Sequence, residues 1–202
     1  MIQTDVLIVG GSLVGLSAAA MLAHHGVNCL SVERHQGTAI HPRAGHFHLR
    51  TLEAFRAIGL EEAVRKSSEE QFDPDGGISA VESLAGKEIA QYIANLNAGV
   101  EHYSPSRRLF MTQQSLEPLL RDHAQKLGAQ LSYNTELIDF SQDNEGVTAT
   151  VRYLDSGKED TMRAKYMIAA DGNRSPVRHK LGIEMVGHGQ LSHSVTIYFK
   201  AN

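Results

Sequence analysis

Hydrophobic residues near the start of the chain form two short apolar runs separated by a helical pattern. The first run, 5–9, is rich in β-branched residues, and the second covers 27–32. Between them lie a glycine-containing turn, 10–15, and a stretch with helical periodicity, 16–25. This order predicts a strand, a turn, a helix and a second strand, which is the βαβ unit of a parallel sheet.

The rest of the chain shows the same two periodicities. Apolar positions predict helices over 49–58 and 116–127, and 61–72 is predicted as a helix that ends in a loop. A short helix is predicted through Arg178 and Leu181, after an Asp-Gly pair. The predicted strands are a hairpin of 78–84 and 88–93, a short strand 129–133, a meander of 135–142, 147–154 and 160–164, and apolar strands 166–170 and 191–199.

The first turn has the small residues that dinucleotide binding requires. Gly10 lets the backbone leave the strand sharply, and Gly15 removes a side chain where helix and strand pack closely. Small residues at Gly11 and Ser12 let a pyrophosphate approach main-chain N–H groups at the helix N-terminus, whose dipole favours negative charge. Ser12 replaces the middle glycine of the usual pattern, and its hydroxyl can be donated to a phosphate. Chance glycines in an ordinary strand–turn–helix are the alternative.

Glu33 is the candidate ribose-binding acid. It ends the second apolar run and follows Gly15 at close to the expected spacing. A carboxylate there can accept hydrogen bonds from ribose hydroxyls. Because it would repel a 2′-phosphate, the pattern favours FAD or NAD over NADP.

Three polar residues further along the chain are candidates for the same site. Arg43 lies in a predicted loop, 35–45, that must return towards the cofactor, although a solvated loop charge is the better explanation when Arg43 is taken alone. Gln113 lies near a helix start, where its amide can face a ligand or cap the helix. Asp171 precedes Gly172 at the carboxyl end of a predicted parallel strand, the edge at which open α/β sheets bind ligands.

Composition narrows the class of protein. With 202 residues, 42% of them hydrophobic, the chain is long enough for one large domain. A formal charge of −4 gives no electrostatic case for nucleic acid or an anionic membrane. Cys29 lies within the second strand and is expected to be a core residue, and the scattered histidines form no convincing metal set. No apolar run has membrane-spanning length, and the first strand leaves no room for a signal peptide, so we expect a cytoplasmic protein.

Together, these residues resemble the aromatic-ring flavoprotein monooxygenases, which include p-hydroxybenzoate hydroxylase, and within them the phenol and polyketide hydroxylase branch. The resemblance extends over nearly the whole chain. The segments that carry it are 6–15, Glu33-Arg34, Pro42-Arg43-Ala44, Arg50-Thr51-Leu52-Glu53, Gln113 with Glu117, and 171–175. The resemblance implies an α/β fold: a Rossmann-like FAD/NAD(P)-binding domain of the glutathione-reductase type with a β-meander, followed by the first strand of a substrate-domain sheet.

The resemblance also implies roles for individual residues. Glu33 would bind the adenosine ribose, and Arg43 and Gln113 would contact the flavin or its ribityl-phosphate side. Asp171 would belong to an Asp-Gly motif that touches both FAD and NAD(P)H. The implied cofactor-binding set is Gly10, Gly11, Ser12, Val14, Gly15, Glu33, Arg34, Arg43, Gln113, Asp171 and Gly172.

The implied activity is hydroxylation of a phenolic or polyketide-type aromatic substrate with NAD(P)H and O2. In such enzymes NAD(P)H reduces FAD, and a flavin C4a-hydroperoxide delivers oxygen to the ring. The sequence contains no nucleophilic triad, and no side chain is predicted to be catalytic. A non-catalytic FAD- or NAD-binding module, or a flavin oxidoreductase without hydroxylation, is the alternative.

The family has a later Gly-Asp motif and a substrate-domain sheet that the sequence lacks. We therefore expect the N-terminal portion of a longer enzyme. Residues 1–185 would form the FAD-binding domain, interrupted by a hairpin at about 73–108, and 186–202 would begin a truncated substrate domain. Without a wall over the flavin, NAD(P)H oxidation by this chain alone is expected to release peroxide rather than hydroxylated product.

Overall fold

The computed structural model describes residues 2–41, 43, 45–195, 197 and 199 of the chain. The strands in these residues are β1 (Ile2–Val9), β2 (Cys29–Val32), β3 (Ile78–Val81), β4 (Glu88–Ile93), β5 (Gln130–Ser132), β6 (Thr135–Asp143), β7 (Gly146–Tyr153) and β8 (Glu159–Ala169). The α-helices are α1 (Leu13–His24), α2 (Leu49–Ala57), α3 (Glu61–Glu69), α4 (Gln113–Lys126) and α5 (Pro176–Lys180).

Within the described part of the chain, one mixed sheet has the strand order β5-β2-β1-β8-β7-β6. The first four of these strands run parallel, and β7 and β6 continue the sheet in antiparallel fashion. Among the residues that the structure describes, strands β3 and β4 pair only with each other, as the predicted hairpin. The predicted βαβ unit, short parallel strand and meander are therefore confirmed.

Strand β1 is buried on both faces because its side chains alternate between two hydrophobic cores. Val6 and Ile8 pack into a core built with α1, α2, α3 and α4. Leu7 and Val9 pack into a second core, with residues of β6, β7 and β8. The βαβ unit is thus held between a helical layer on one face and the meander on the other.

The sequence predicted two separate strands, 160–164 and 166–170, where the structure has the single strand β8. Its N-terminal half pairs antiparallel with β7, and residues 162–169 pair parallel with β1, from Ile2 opposite Met162 to Val9 opposite Ala169. Lys165 interrupts the apolar pattern, but its side chain is exposed and forms an ion pair with Asp5, Nζ to Oδ1 2.6 Å. The polar position therefore marks a solvent-facing residue and not a strand end.

The predicted helices are all present, with shifted boundaries. Helix α1 begins at Leu13 and not at Leu16. Gly59 and Gly128 follow α2 and α4, and α5 follows the Asp-Gly pair, as predicted. The turn between β6 and β7 lies at residues 144–145.

The predicted strand over 191–199 is wrong for the part of it that the structure describes. Residues 191–195, 197 and 199 are in no strand or helix, and 196 and 198 lie outside the described residues. Leu191, Val195 and Ile197 are exposed. An extended segment becomes a strand only when a neighbour pairs with its N–H and C=O groups, and the apolar alternation of a sequence does not report whether that neighbour exists.

Cys29 is buried in β2, as predicted, and its thiol lies against the carbonyl oxygen of Ala19. Burial raises the pKa of this thiol, which disfavours a nucleophilic thiolate. Each helix in the described ranges is too short or too polar to cross a membrane.

We predict that Met162→Ala lowers the free energy of unfolding by about 2–5 kcal/mol, because Met162 is 1% exposed in the second core and its loss leaves a cavity. Urea unfolding measures the change. Tyr166→Ala is the control on the same strand, since Tyr166 is 70% exposed, and its effect should stay within about 0.5 kcal/mol. Equal effects of the two substitutions would contradict the placement of β8 between the two cores.

Candidate functional site

The turn between β1 and α1 is closed so tightly that two glycines have no room for a side chain. A Cβ on Gly15 would lie 1.8 Å from the carbonyl oxygen of Gly10. Gly10 has a φ of +109°, and a Cβ there would lie 2.3 Å from the carbonyl oxygen of Ala170. The predicted reason for Gly15, close packing of helix against strand, is confirmed.

The N-terminus of α1 lies at the carboxyl edge of the sheet. Ser12 is the N-cap residue, and its carbonyl oxygen accepts the N–H of Leu16 at 2.8 Å. Its hydroxyl makes no capping hydrogen bond, so the first-turn N–H groups have neither an intrahelical acceptor nor a side-chain cap. Val14, on this first turn, is 69% exposed although it is apolar. The helix end can therefore bind an anionic ligand through its backbone.

Glu33 lies beside this turn at the end of β2. Its Oε2 accepts the N–H of Gly11 at 2.6 Å, and its Oε1 accepts the N–H of His35 at 2.9 Å. A Cβ on Gly11 would lie 2.7 Å from the Cβ of Glu33. The sequence predicted a small residue at 11 for the approach of a pyrophosphate; the structure adds that Gly11 makes room for Glu33.

Gln113 is brought to the turn by α4. Its side-chain amide donates to the hydroxyl of Ser12 at 2.9 Å and to Oε1 of Glu117 at 2.7 Å. The open alternative of a capping role for Gln113 is excluded, because Thr112 is the N-cap and its Oγ1 accepts the N–H of Ser115.

The structure gives the hydroxyl of Ser12 a different partner from the predicted phosphate. Ser12 Oγ donates to Oε1 of Glu117 at 2.5 Å. The hydroxyl proton is therefore already used within the protein, and the expectation that Ser12 gives it to a phosphate is not supported by this arrangement. The signal for Glu117 was its helical spacing from Gln113, which places both side chains on one face.

Arg43 reaches the site through the backbone. Its carbonyl oxygen accepts the N–H of Gln113 at 2.8 Å, and its side chain is exposed. Gly45 and Met111 continue this ladder with a hydrogen bond of 3.1 Å. The loop therefore lies against the start of α4, and contact of the Arg43 side chain with a cofactor stays a prediction.

Asp171 and Gly172 follow β8 on the other side of β1. The N–H of Ala170 donates to the carbonyl oxygen of Val9 at 2.8 Å, which places Asp171 next to Gly10. One carboxylate oxygen of Asp171 accepts the N–H of Val177 at 3.1 Å, at the start of α5. The Asp171 side chain thus also orders the segment that follows it.

Tyr133 is a further residue of the site that the sequence did not indicate. It lines a small pocket with Gly11 and Glu33, beyond the end of β5, and its hydroxyl is buried without a hydrogen-bond partner. Burial raises the pKa of Tyr133. The described residues hold no cluster of three or more His, Cys, Asp or Glu able to bind a metal ion.

The site therefore brings the ends of β1, β2 and β8 together with the start of α4 at one edge of the sheet. Arg34, next to Glu33, is exposed at the same edge. The arrangement fits a dinucleotide, because backbone N–H groups face the turn and a carboxylate lies beside it. That the predicted residues contact FAD stays a prediction.

Comparison with known proteins identifies the family. The model of the FAD-binding domain family matches residues 3–202, so the chain belongs to this family. It is 59% identical over 201 residues to a 4-methyl-5-nitrocatechol 5-monooxygenase of Burkholderia sp., covering 100% of this chain and 37% of that protein. It is 43% identical to a putative polyketide hydroxylase of Streptomyces halstedii, covering 98% of this chain and 36% of that protein.

A solved structure shows the same fold. The ternary complex of aklavinone-11 hydroxylase with FAD and aklavinone superposes with a TM-score of 0.85 at 36% identity, covering 95% of this chain and 37% of that one. The chain thus spans a little over a third of the length of the relatives that it matches.

The glycine turn yields a prediction with a matched control. Gly15→Ala should lower the free energy of unfolding by about 1–3 kcal/mol and weaken FAD binding, because its Cβ would collide with the Gly10 carbonyl. Gly37→Ala is the control, since nothing lies within 4 Å of a Cβ there, and its effect should be below about 0.5 kcal/mol. Thermal unfolding and the bound flavin content measure both effects. Wild-type flavin content in Gly15→Ala would contradict the geometry of the turn.

Glu33 yields a second prediction. Glu33→Ala should weaken FAD binding by about 1–3 kcal/mol, because ribose hydroxyls and the N–H of Gly11 lose their acceptor. Flavin fluorescence titration gives the affinity. Glu145→Ala, an exposed carboxylate in the turn between β6 and β7, serves as the control and should bind FAD like the wild type. An unchanged affinity in Glu33→Ala would refute the ribose-binding role.

Proposed function

We propose that the protein acts in an FAD-dependent, NAD(P)H-consuming monooxygenase reaction that hydroxylates a phenolic or polyketide-type aromatic ring. The observation that carries the proposal is the composite site, in which Gly15, Glu33, Gln113 and Asp171 come from four distant segments to one sheet edge. A chance glycine turn would not gather these residues.

The relatives support the reaction class. Their names specify a nitrocatechol monooxygenase, a polyketide hydroxylase and an aklavinone hydroxylase. Nitrocatechol and aklavinone both carry hydroxylated aromatic rings, so we propose a substrate of the same chemistry for this protein. Because the chain covers only part of each relative, the activity and the substrate are both inferences from similarity.

FAD, when bound and reduced by NAD(P)H, supplies the chemistry that activates O2 and inserts one oxygen atom into the ring. The residues of this chain bind and orient it. The first turn of α1 holds the pyrophosphate, Glu33 accepts the ribose hydroxyls, and Gln113 with Arg43 contacts the riboflavin half. In this proposal Asp171 and Gly172 would contact both FAD and the nicotinamide cofactor.

We also propose a domain organisation and a cellular location for the protein. Residues 1–185 form the FAD-binding domain, and 186–202 lead into the substrate-binding part. The protein works in the cytoplasm, which is supported by the lone, buried Cys29 and by a charge balance that favours neither nucleic acid nor anionic membranes.

The hydroxylation test uses a full-length protein that contains this chain, because the chain alone is expected to release peroxide. We expect that full-length protein to bind FAD and to consume O2 when NADH or NADPH is added together with a suitable phenol. The panel should include nitrocatechols, simple phenols and a polyketide-type anthraquinone, with isotopically labelled O2. Mass spectrometry should show a product that carries one labelled oxygen atom, and a non-phenolic aromatic compound is the control.

Failure to bind FAD would overturn the proposal. If the full-length protein oxidises NAD(P)H but yields only hydrogen peroxide with every phenol, the result would favour the alternative, a flavin oxidoreductase without hydroxylation. FAD binding without any NAD(P)H oxidation would favour a non-catalytic binding module.

A further inference from the structure

Helix α4 carries a buried carboxylate that the proposed chemistry does not use. Glu117 is 1% exposed and is among the largest fully buried side chains of the protein. Burying a carboxylate is costly unless hydrogen bonds compensate it. Its partners therefore indicate what it does.

The partners of Glu117 come from three separate segments around the cofactor site. Oε1 accepts the hydroxyl of Ser12 at 2.5 Å and the amide of Gln113 at 2.7 Å. Oε2 accepts the main-chain N–H of Ala39 at 2.5 Å. One carboxylate thus joins the phosphate turn, the start of α4 and the loop after β2.

These bonds also fix the direction of the Gln113 amide. Its nitrogen has two hydrogens, and it donates to both Ser12 Oγ and Glu117 Oε1. An ionised carboxylate only accepts hydrogen bonds, so it holds the nitrogen of this amide, and not the oxygen, towards itself. The carbonyl oxygen of Gln113 is left as the group that a ligand can meet, and it accepts hydrogen bonds from hydroxyl groups.

We propose that Glu117 is a positioning residue of the FAD site. It holds Ser12 and Ala39 in place and orients Gln113 so that its carbonyl oxygen, an acceptor, faces a hydroxyl-bearing part of the cofactor. The proposal rests on the FAD site described under the proposed function. Glu117 acts through its hydrogen bonds and not through its charge, because a negative charge beside a phosphate turn would by itself weaken binding.

The isosteric substitution Glu117→Gln separates these two effects. It removes the charge but introduces an NH2 group, so at least one of Ser12, Gln113 and Ala39 loses its acceptor. If hydrogen bonding matters, FAD affinity falls in Glu117→Gln and falls further in Glu117→Ala, by about tenfold or more in the latter. If charge repulsion dominates, Glu117→Gln binds FAD more tightly than the wild type, which would overturn the proposal.

A buried aliphatic residue on the same helix provides the control. Leu120 is fully buried in the helical core and contributes no polar group to the site. Leu120→Val should lower thermal stability while leaving the FAD dissociation constant unchanged. A matching loss of affinity in Leu120→Val would show that Glu117 acts only through the stability of α4.

Two further measurements test the mechanism directly. In the ligand-free protein, amide hydrogen exchange at Ala39 should accelerate in Glu117→Ala and not in Leu120→Val. In a double-mutant cycle, Ser12→Ala and Glu117→Ala should have non-additive effects on FAD affinity, since one contact links them. Unchanged exchange at Ala39, or full additivity, would overturn the proposal.

The outcome for the wild type separates this proposal from the proposed function. A wild-type protein that binds no FAD contradicts the proposed function. A wild-type protein that binds FAD, with Glu117→Gln and Glu117→Ala binding it equally well, contradicts only the positioning role. Should Glu117→Ala fail to fold, the comparison of Glu117→Gln with Leu120→Val still decides the question.

Discussion

The parallel pairing of β1 with β8 is the contact on which the rest of the structure depends. The pairing extends from Ile2 opposite Met162 to Val9 opposite Ala169, so it joins the first residues of the chain to a strand that comes more than 150 positions later. It closes the meander over one face of β1 and leaves the other face to the helices. It also ends where Gly10 and Asp171 lie next to each other. A strand that stopped at Lys165 would have separated these two parts of the site.

Most of the fold could be predicted from the sequence because its elements have strong local signals. The β-branched run before Gly10, the helical spacing of α4 and the turn residues between β6 and β7 each point to one structure. The glycine turn and Glu33 could also be predicted, because their spacing follows from the geometry of dinucleotide binding. The hydrogen bond between Arg43 and Gln113 could not be predicted, because no local pattern reports a contact between positions so far apart in sequence.

The features that could not be predicted depend on contacts between distant segments. Lys165 interrupts the apolar pattern of the sequence, but strand β8 continues through this position. The strand can continue because the exposed Lys165 side chain forms an ion pair with Asp5. The partner of Ser12 is Glu117, 105 positions away, and a serine hydroxyl looks equally suited to a phosphate when only the sequence is known. Over 191–199 the apolar and polar residues alternate as in a strand and predicted one, but the described residues of this segment pair with no other strand.

The contact between Gly11 and Glu33 limits which residues position 11 can accept. Any side chain at position 11 would meet the Glu33 Cβ at 2.7 Å, and the N–H of residue 11 is bound by the Glu33 carboxylate. Exchanging the acid for alanine or a basic residue, as in redesign of nucleotide preference, would remove the hydrogen bond but not the steric limit, because every residue except glycine has a Cβ. Position 11 should therefore stay glycine among homologues even where residue 33 varies, and an engineered library that randomises position 11 samples mostly unfavourable variants.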